Sequence, residues 1–460
     1  MNERLLDALD EISDRHIYEA ATAKKRNTRL LIRAAAAIVA VVLLLGFLGP
    51  DQTATATQML VSPAPVREAA WPTQSDYPDD GALKAAKEEY NRRYKLVKNS
   101  MAELSPFWDA SCREFLSGEE NGVWSPVNLY LSLAMLAEIS AGDTRQEILD
   151  TLGAESMEEL RTTVRALWET VTTTFPEATR RLAASVWLDD SLQYHEEAIA
   201  ALGNAHYASV YRTNLSSPES GDAIRKWISQ QTKGMLSPKP MPEANGTRVL
   251  ELVSTLYLDE NWLETFDPAD NREGLFHAPG GDTPCTYMNG LKEMDGYARG
   301  ADYTAVSLST WGESDLWLIL PDEGTTPADL LRQGDYLDTV FHGKGVEKQL
   351  IQLTMPKFDL SCDADLCAGL KNLGIEDAFS LLGGDFSGAL SLDTPIRVGA
   401  VRQSARIIVD ENGVRCSSGT ESYLMAAGIR EPVRVVVDRP FLFVLTTHGI
   451  PLFAGVVTQP

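Results

Sequence analysis

Near its carboxyl end the chain interrupts a strand pattern in an unusual way. A strand-like run, Ser404 to Asp410, passes through Glu411-Asn412-Gly413 into small and polar residues from Val414 to Thr420, and apolar patterning resumes firmly only at Asp438-Arg439-Pro440-Phe441-Leu442-Phe443. A connection of that length with no element of its own is uncommon inside a compact domain unless it is functional. Any sheet that accepts Ser404 to Asp410 must therefore also present a long segment to solvent.

The chain has 460 residues, and the roughly 380 that follow the first 80 suit one large α+β domain. A formal charge of -24 excludes nucleic acid as a natural partner, since a polyanion gains nothing from an acidic surface. The amino-terminal part differs in kind. Ala34 to Leu48 is an uninterrupted apolar run, and Leu30 to Gly49 makes 20 residues, about 30 Å of helix and enough to cross a bilayer. Lys24, Lys25, Arg26, Arg29 and Arg33 precede or enter it, which predicts a cytoplasmic amino terminus and an exported remainder. The expected organisation is a cytoplasmic tail over 1–29 with Leu5, Leu6, Leu9 and Ile12 at helical spacing, a transmembrane anchor over 30–49, a Thr/Ala/Pro/Ser/Asp-rich linker over 50–81 and a folded domain over 82–460. A cleaved signal peptide, with Ala54-x-Ala56 as its processing site, would leave the domain secreted instead. A buried core helix is the third reading of the same run.

Five cysteines (Cys112, Cys285, Cys362, Cys367, Cys416) are too few for a disulfide framework in so long a chain, and their spacing matches no zinc motif. Cys362 and Cys367 are near enough in sequence to pair. An enzyme reading finds no residues to carry it. There is no Gly-x-Ser-x-Gly elbow, no His-Glu-x-x-His pair and no phosphate-cradling glycine loop, and His195-Glu196-Glu197 lacks a second histidine four residues on. No metal site and no cofactor is expected.

Helical spacing over Lys84 to Phe115 is broken by Pro106, Ser125-Pro126 opens a helix running to Ala141, and Thr144 with Glu147 has the form of a capping box after Gly142. Strand-like runs dominate afterwards, among them Leu182 to Leu188, Val249 to Leu258, Arg406 to Val409, Phe441 to Thr446 and Leu452 to Val457. Helices and strands interleave irregularly with no βα repeat, so the class is α+β.

From Ser100 onward the chain resembles a serpin, of bacterial type. The resemblance rests on several blocks in order: Ser125-Pro126, Gly142-x-Thr144-x-x-Glu147-Ile148, Leu252 to Tyr257 followed by Asn261-Trp262 and Phe266-Asp267-Pro268, Met355-Pro356-Lys357-Phe358, Asp385-Phe386-Ser387-Gly388, the Glu411-x-Gly413 turn and Leu452-Phe453-x-Gly455-Val456-Val457. It implies helices packed around a large central mixed β-sheet, smaller sheets, and an exposed reactive loop near the carboxyl terminus. It also implies a monomeric, irreversible serine protease inhibitor that traps its target as an acyl complex when the cut loop inserts into the central sheet.

The family spacing, 17 residues counted inclusively from Glu411, puts the reactive bond at Ala427-Gly428. Leu424, Met425 and Ala426 then fill the target's subsites, which suits an elastase-like or subtilisin-like extracellular protease, with a cysteine protease as a further class. A bond after Arg430 is the runner-up, set back by Glu431-Pro432. The hinge is Glu411, Gly413, Val414, Arg415, Cys416, Ser417, Ser418, Gly419 and Thr420. On insertion, alternate residues face inward, and the series Val414, Cys416, Ser418, Thr420, Ser422, Leu424, Ala426 carries no charge. The alternative role is a non-inhibitory serpin, a binding module or protease decoy. In the family, Ser125, Asn128, Trp262 and Gln403 occupy the region where the sheet opens. Asn128 and Gln403 both depart from the usual residues, and a compensating amide hydrogen bond between them is expected.

Overall fold

Pro126–Ile139 is apolar on all sides, and as a helix it is buried almost throughout. Its start is set by Ser125, whose hydroxyl accepts the Asn128 N–H, and by Pro126, which has no N–H to orphan. Helices Ser105–Phe115, Gly142–Leu152, Met157–Val171 and Glu196–Asn204 and strands Leu250–Asn261 and Ile450–Val457 pack against it. The computed structural model describes residues 57–66, 79–88, 104–175, 177–237, 248–391, 395–399, 401–414 and 431–460. The expected tail and anchor, and the expected hinge and reactive-bond residues Arg415 to Thr420, Leu424, Met425, Ala426, Ala427 and Gly428, lie outside the described residues. Among the described residues, no helix is long and apolar enough to cross a membrane.

Eight strands form the large sheet: β1 (Gln58–Val61), β2 (Thr173–Phe175), β3 (Ala178–Asp189), β4 (Ala208–Thr213), β5 (Leu250–Asn261), β6 (Phe358–Asp365), β7 (Arg402–Val409) and β8 (Gly413–Val414). Their spatial order is β1-β4-β3-β5-β8-β7-β6, with β2 paired to β3. The β3–β4 ladder is parallel and the others are antiparallel, so the sheet is mixed. Both faces of β5 are covered. Ser254 bonds to Ser132 and to the Asn128 carbonyl of the buried helix, while Val253 packs on the opposite face with Trp187, Ile224 and Trp227 beneath the helix Pro218–Gln231.

A second, nine-stranded sheet includes Glu347–Pro356, Gly281–Arg299, Tyr303–Ser309, Ser314–Pro321, Phe441–Thr447 and Ile450–Val457. The last two strands are buried at every position, as the apolar runs in the sequence require. The strand Val433–Val436 joins its edge, parallel to Glu347–Pro356. These ladders bear out the α+β expectation.

Several local expectations give way to tertiary contacts. Pro106 does not break a helix but begins one, Ser105–Phe115. The helix Gly142–Leu152 starts ahead of Thr144 and has no side-chain cap. Thr144 instead accepts the Asp385 N–H, and Glu147 accepts the N–H groups of Glu376 and Asp377, so the Thr-x-x-Glu pattern braces a neighbouring loop. Within the stretch read as linker, Gln58-Met59-Leu60-Val61 is β1, paired to the edge strand β4.

Glu138, buried near the end of the central helix, bonds to His206 at 3.0 Å and to Arg161 at 2.8 Å. Burial would raise its pKa, but the hydrogen bonds and charges of His206 and Arg161 outweigh that and hold it at about 2. A depressed folded-state value gives stability that is present above the unfolded carboxyl range and lost as pH falls toward the folded value. Glu138→Gln is therefore expected to lower stability at pH 6 and to flatten its decline below about pH 4.5, as read from urea midpoints across pH. An unchanged pH slope would remove this contribution.

Candidate functional site

β7 ends at Asp410, and the chain turns back through Glu411 and Asn412 into β8. The Asp410 carboxylate accepts the Asn412 N–H at 2.9 Å, and the Gly413 carbonyl accepts the Asp410 N–H at 3.1 Å, which closes the turn. Trp262, fully buried, secures it from the β5 side. Its backbone N–H donates to the Asn412 carbonyl at 2.7 Å, and its indole N–H donates to the Asp410 carbonyl at 2.9 Å. Phe266 N–H donates to the Glu411 carbonyl at 2.9 Å. The Glu411 carboxylate takes hydrogen bonds from Asn271 and, at 3.0 Å, from the Lys357 ammonium. Burial pushes its pKa up, yet these partners together with its own backbone N–H hold it below the usual carboxylate range.

Beyond the turn, Gly413 pairs with Asn261 and Val414 with Glu260 on one side, while Val414 pairs with Val409 on the other. Gly413 and Val414 thus form a short strand between β5 and β7. The fit requires glycine at 413, because a Cβ there would lie 2.0 Å from the Glu260 carbonyl oxygen. Val414 is buried with the core.

Below Val414 no ladder joins β5 to β7 among the described residues. A narrow void of about 10 Å³ lies first, bounded by Leu256, Leu258, Ile407 and Val414. Farther from the turn the gap widens into a cleft of about 1150 Å³, floored by Leu129 and Leu133 of the central helix and walled by Leu252, Ser254 and Gln403. The site is therefore a mouth holding two loop residues above a constriction and an open cleft.

The residues expected to govern opening fall into two groups rather than one. Trp262 is at the mouth. Ser125, Asn128 and Gln403 meet at the level of the cleft, six residues along β7 from Val409, or about 20 Å. The expected Gln403–Asn128 bond is absent. Gln403 instead accepts the Ser125 N–H at 2.7 Å and donates to the Ser125 carbonyl at 2.9 Å, pairing with the backbone that starts the buried helix. Ser125 hydroxyl donates to the Leu452 carbonyl at 2.7 Å, and the Asn128 side-chain oxygen has no hydrogen-bond partner. Gln403→Ala removes two bonds and strands a half-buried N–H, so a loss of about 2 kcal/mol is expected in urea unfolding. An unchanged midpoint would mean that Gln403 does not brace this helix start.

One pair at the mouth escaped the sequence reading. Arg180 on β3 and Glu260 on β5 form a buried ion pair at 2.9 Å, with side-chain exposures of 2% and 0%. Glu260 also accepts from the Thr310 hydroxyl at 2.5 Å, and Arg180 donates to the Val171 carbonyl at 2.8 Å, to the Ser314 hydroxyl at 2.7 Å and to the Gly312 carbonyl. Apart from the charges themselves, standing in otherwise strand-like runs, no local motif announces them. The cysteines take no part. Cys362 and Cys367 are free thiols rather than a disulfide, and Cys367 sulfur accepts the Val401 N–H at 3.1 Å. Burial raises the Cys367 pKa to about 11 and that of Cys112 to about 12.

Comparison with known proteins agrees with this geometry. The family model Serpin (serine protease inhibitor) matches residues 112–460. Plasminogen activator inhibitor 1 of Neovison vison is 27% identical over 356 residues, covering 75% of this chain and 88% of that protein. Serpin-Z2B of Oryza sativa subsp. japonica is 26% identical over 392 residues, covering 75% and 92%. Among solved structures, the thermophilic serpin tengpin in its native state superposes with a TM-score of 0.72 at 20% identity, covering 88% of this chain and 100% of its own. Serpin48 of Tenebrio molitor gives a TM-score of 0.70 at 24% identity, covering 80% and 98%. These curated relatives are from a mammal and a plant and lend no support to a specifically bacterial type. The fold, the short strand Gly413–Val414 between β5 and β7 and the family match over most of the length lead to one conclusion: the chain belongs to the serpin (serine protease inhibitor) family.

Proposed function

We propose that this serpin is an irreversible inhibitor of an extracellular elastase-like or subtilisin-like serine protease, which it traps by inserting its cut loop between β5 and β7. The observation that carries the reading is the pairing of Gly413 and Val414 with both flanking strands. Continuing that register sets Cys416 opposite Leu258 and Ile407, Ser418 opposite Leu256 and Ala405, and Thr420 opposite Ser254 and Gln403. Leu256, Leu258, Ala405 and Ile407 are buried core residues, so the uncharged alternate series of the loop is the one that would turn inward. The charged residues would take the other face, Arg415 opposite Asp259 and Glu421 opposite Arg402, each beside an opposite charge. Beyond the already paired Val414, thirteen residues, Arg415 to Ala427, gain main-chain bonds at about 1 kcal/mol each net, on the order of 10 kcal/mol in total.

The Ala427-Gly428 bond, with Leu424, Met425 and Ala426 before it, matches a protease with a small first pocket, where each methylene discriminates by only about 1–3 kcal/mol. Residues 30–49 tether the domain to the cell membrane with the inhibitor outside, or are removed to release it. The test incubates the protein separately with pancreatic elastase, subtilisin and trypsin, followed by denaturing gels and mass spectrometry of the released peptide. A denaturant-resistant complex with a peptide beginning at Gly428 is expected. Complete cleavage by every protease with no complex would favour the non-inhibitory decoy.

A further inference from the structure

A buried ion pair stands where Gly413 and Val414 pair into the sheet, and its surroundings are built for it. Two glycines leave room for Glu260. A Cβ at Gly312 would lie 2.3 Å from its carboxylate, and a Cβ at Gly413 would lie 2.0 Å from its carbonyl oxygen. The residue thus reaches in two directions. Its backbone pairs with Val414 of the hinge, while its side chain binds Arg180 of the adjacent strand and Thr310 in the turn of the second sheet.

Around it, Trp311 N–H donates to the Asn261 carbonyl at 3.0 Å, and Leu263 N–H donates to the Ser309 carbonyl at 2.9 Å. Arg180 in turn is tied to Val171 at the end of the helix Met157–Val171, and to Ser314. The upper end of β5 is therefore fastened to the second sheet and to that helix. Directly below it is the constriction between Leu256, Leu258 and Ile407, and below that the open cleft. Any further loop residue must pass the constriction, and that requires the upper part of β5 to move away from β7.

An ion pair at this depth is poorly explained by stability alone. Removing two charges from water costs about as much as their attraction returns, and an apolar pair of similar volume often folds as well or better. A pair that fastens a moving strand has a different use, because it acts on the barrier.

We propose that Glu260, held by Arg180 and Thr310, is a positioning residue that clamps the mouth of the large sheet and so sets the rate at which the loop enters beyond Val414. This rests on the insertion reading above. The test compares wild type with the double variant Arg180→Met/Glu260→Leu. In each, the loop is cut by protease and the appearance of a heat-resistant form is followed in time, while urea midpoints are measured on the intact proteins. The double variant is expected to gain heat resistance roughly tenfold faster with an intact midpoint close to that of wild type. Thr310→Val, which removes one bond and neither charge, is expected to accelerate the step roughly threefold and serves if the double variant does not fold. Equal rates in wild type and a folded variant would overturn the clamp while leaving insertion intact. A rate that merely tracks a lowered midpoint would also overturn it, by reducing the pair to a structural role. A wild type that never gains heat resistance would overturn the insertion reading, and the clamp with it.

Discussion

Thr420→Arg will leave the loop open to cleavage but abolish trapping. In the register begun by Gly413 and Val414, residue 420 falls opposite Ser254 and Gln403 on the face toward the buried helix. Ser254 there already bonds to Ser132 and to the Asn128 carbonyl, so no carboxylate awaits an arginine. An unpaired charge at such a position costs several kcal/mol, enough to slow insertion by two or more powers of ten if half of it is felt in the barrier. Water would then hydrolyse the acyl bond between the protease and the cut loop, and the protease would leave. On a denaturing gel the complex band should vanish and cleaved inhibitor should accumulate. Tyr423→Arg, which falls on the opposite face and opposite Glu251 in the same register, is the control and should retain complex. Equal loss in both variants would show that the alternation does not govern insertion.

Gly413→Val will close the mouth. Its Cβ would stand 2.0 Å from the Glu260 carbonyl oxygen and within 2.9 Å of neighbouring backbone atoms, none of which can swing aside as a side chain does. The two hinge residues would have to leave the sheet, giving up the Gly413–Asn261 and Val414–Glu260 pairs and exposing Val414. The expected cost is about 2–4 kcal/mol, with most of the cleaved inhibitor released as substrate rather than held in complex. Unchanged stoichiometry of inhibition would mean that entry of the first two residues is not the start of insertion.

Much of this site was legible in the sequence because its parts are spelled by consecutive residues. The acidic residue and glycine of the turn, and a tryptophan after a strand, state a local geometry that holds wherever the strand lies. Trp262 and Glu411 accordingly meet at the mouth through bonds to Asp410, Asn412 and Phe266. The failures are all long-range. Arg180 and Glu260 are 80 residues apart, and each stands beside a like charge, Arg181 or Asp259, in a strand pattern that gives no sign of which one is buried. Thr144 and Glu147 have the spacing of a capping box, but the same side chains can reach a neighbouring loop, and here they do. Gln403 and Asn128 were expected to pair as two amides, yet the Ser125 backbone offers both a donor and an acceptor to one amide, and Gln403 takes both. Composition marked 50–81 as linker, while Gln58 to Val61 is short and β-prone enough to add to an open sheet edge.

The most direct test is the thermal unfolding midpoint of residues 57–460, followed by circular dichroism, before and after a protease cuts the reactive loop. If the loop enters the large sheet as a strand between β5 and β7, the cut form gains on the order of 10 kcal/mol and its midpoint rises by roughly 10–20 °C. A midpoint that stays the same or falls after cutting would contradict insertion.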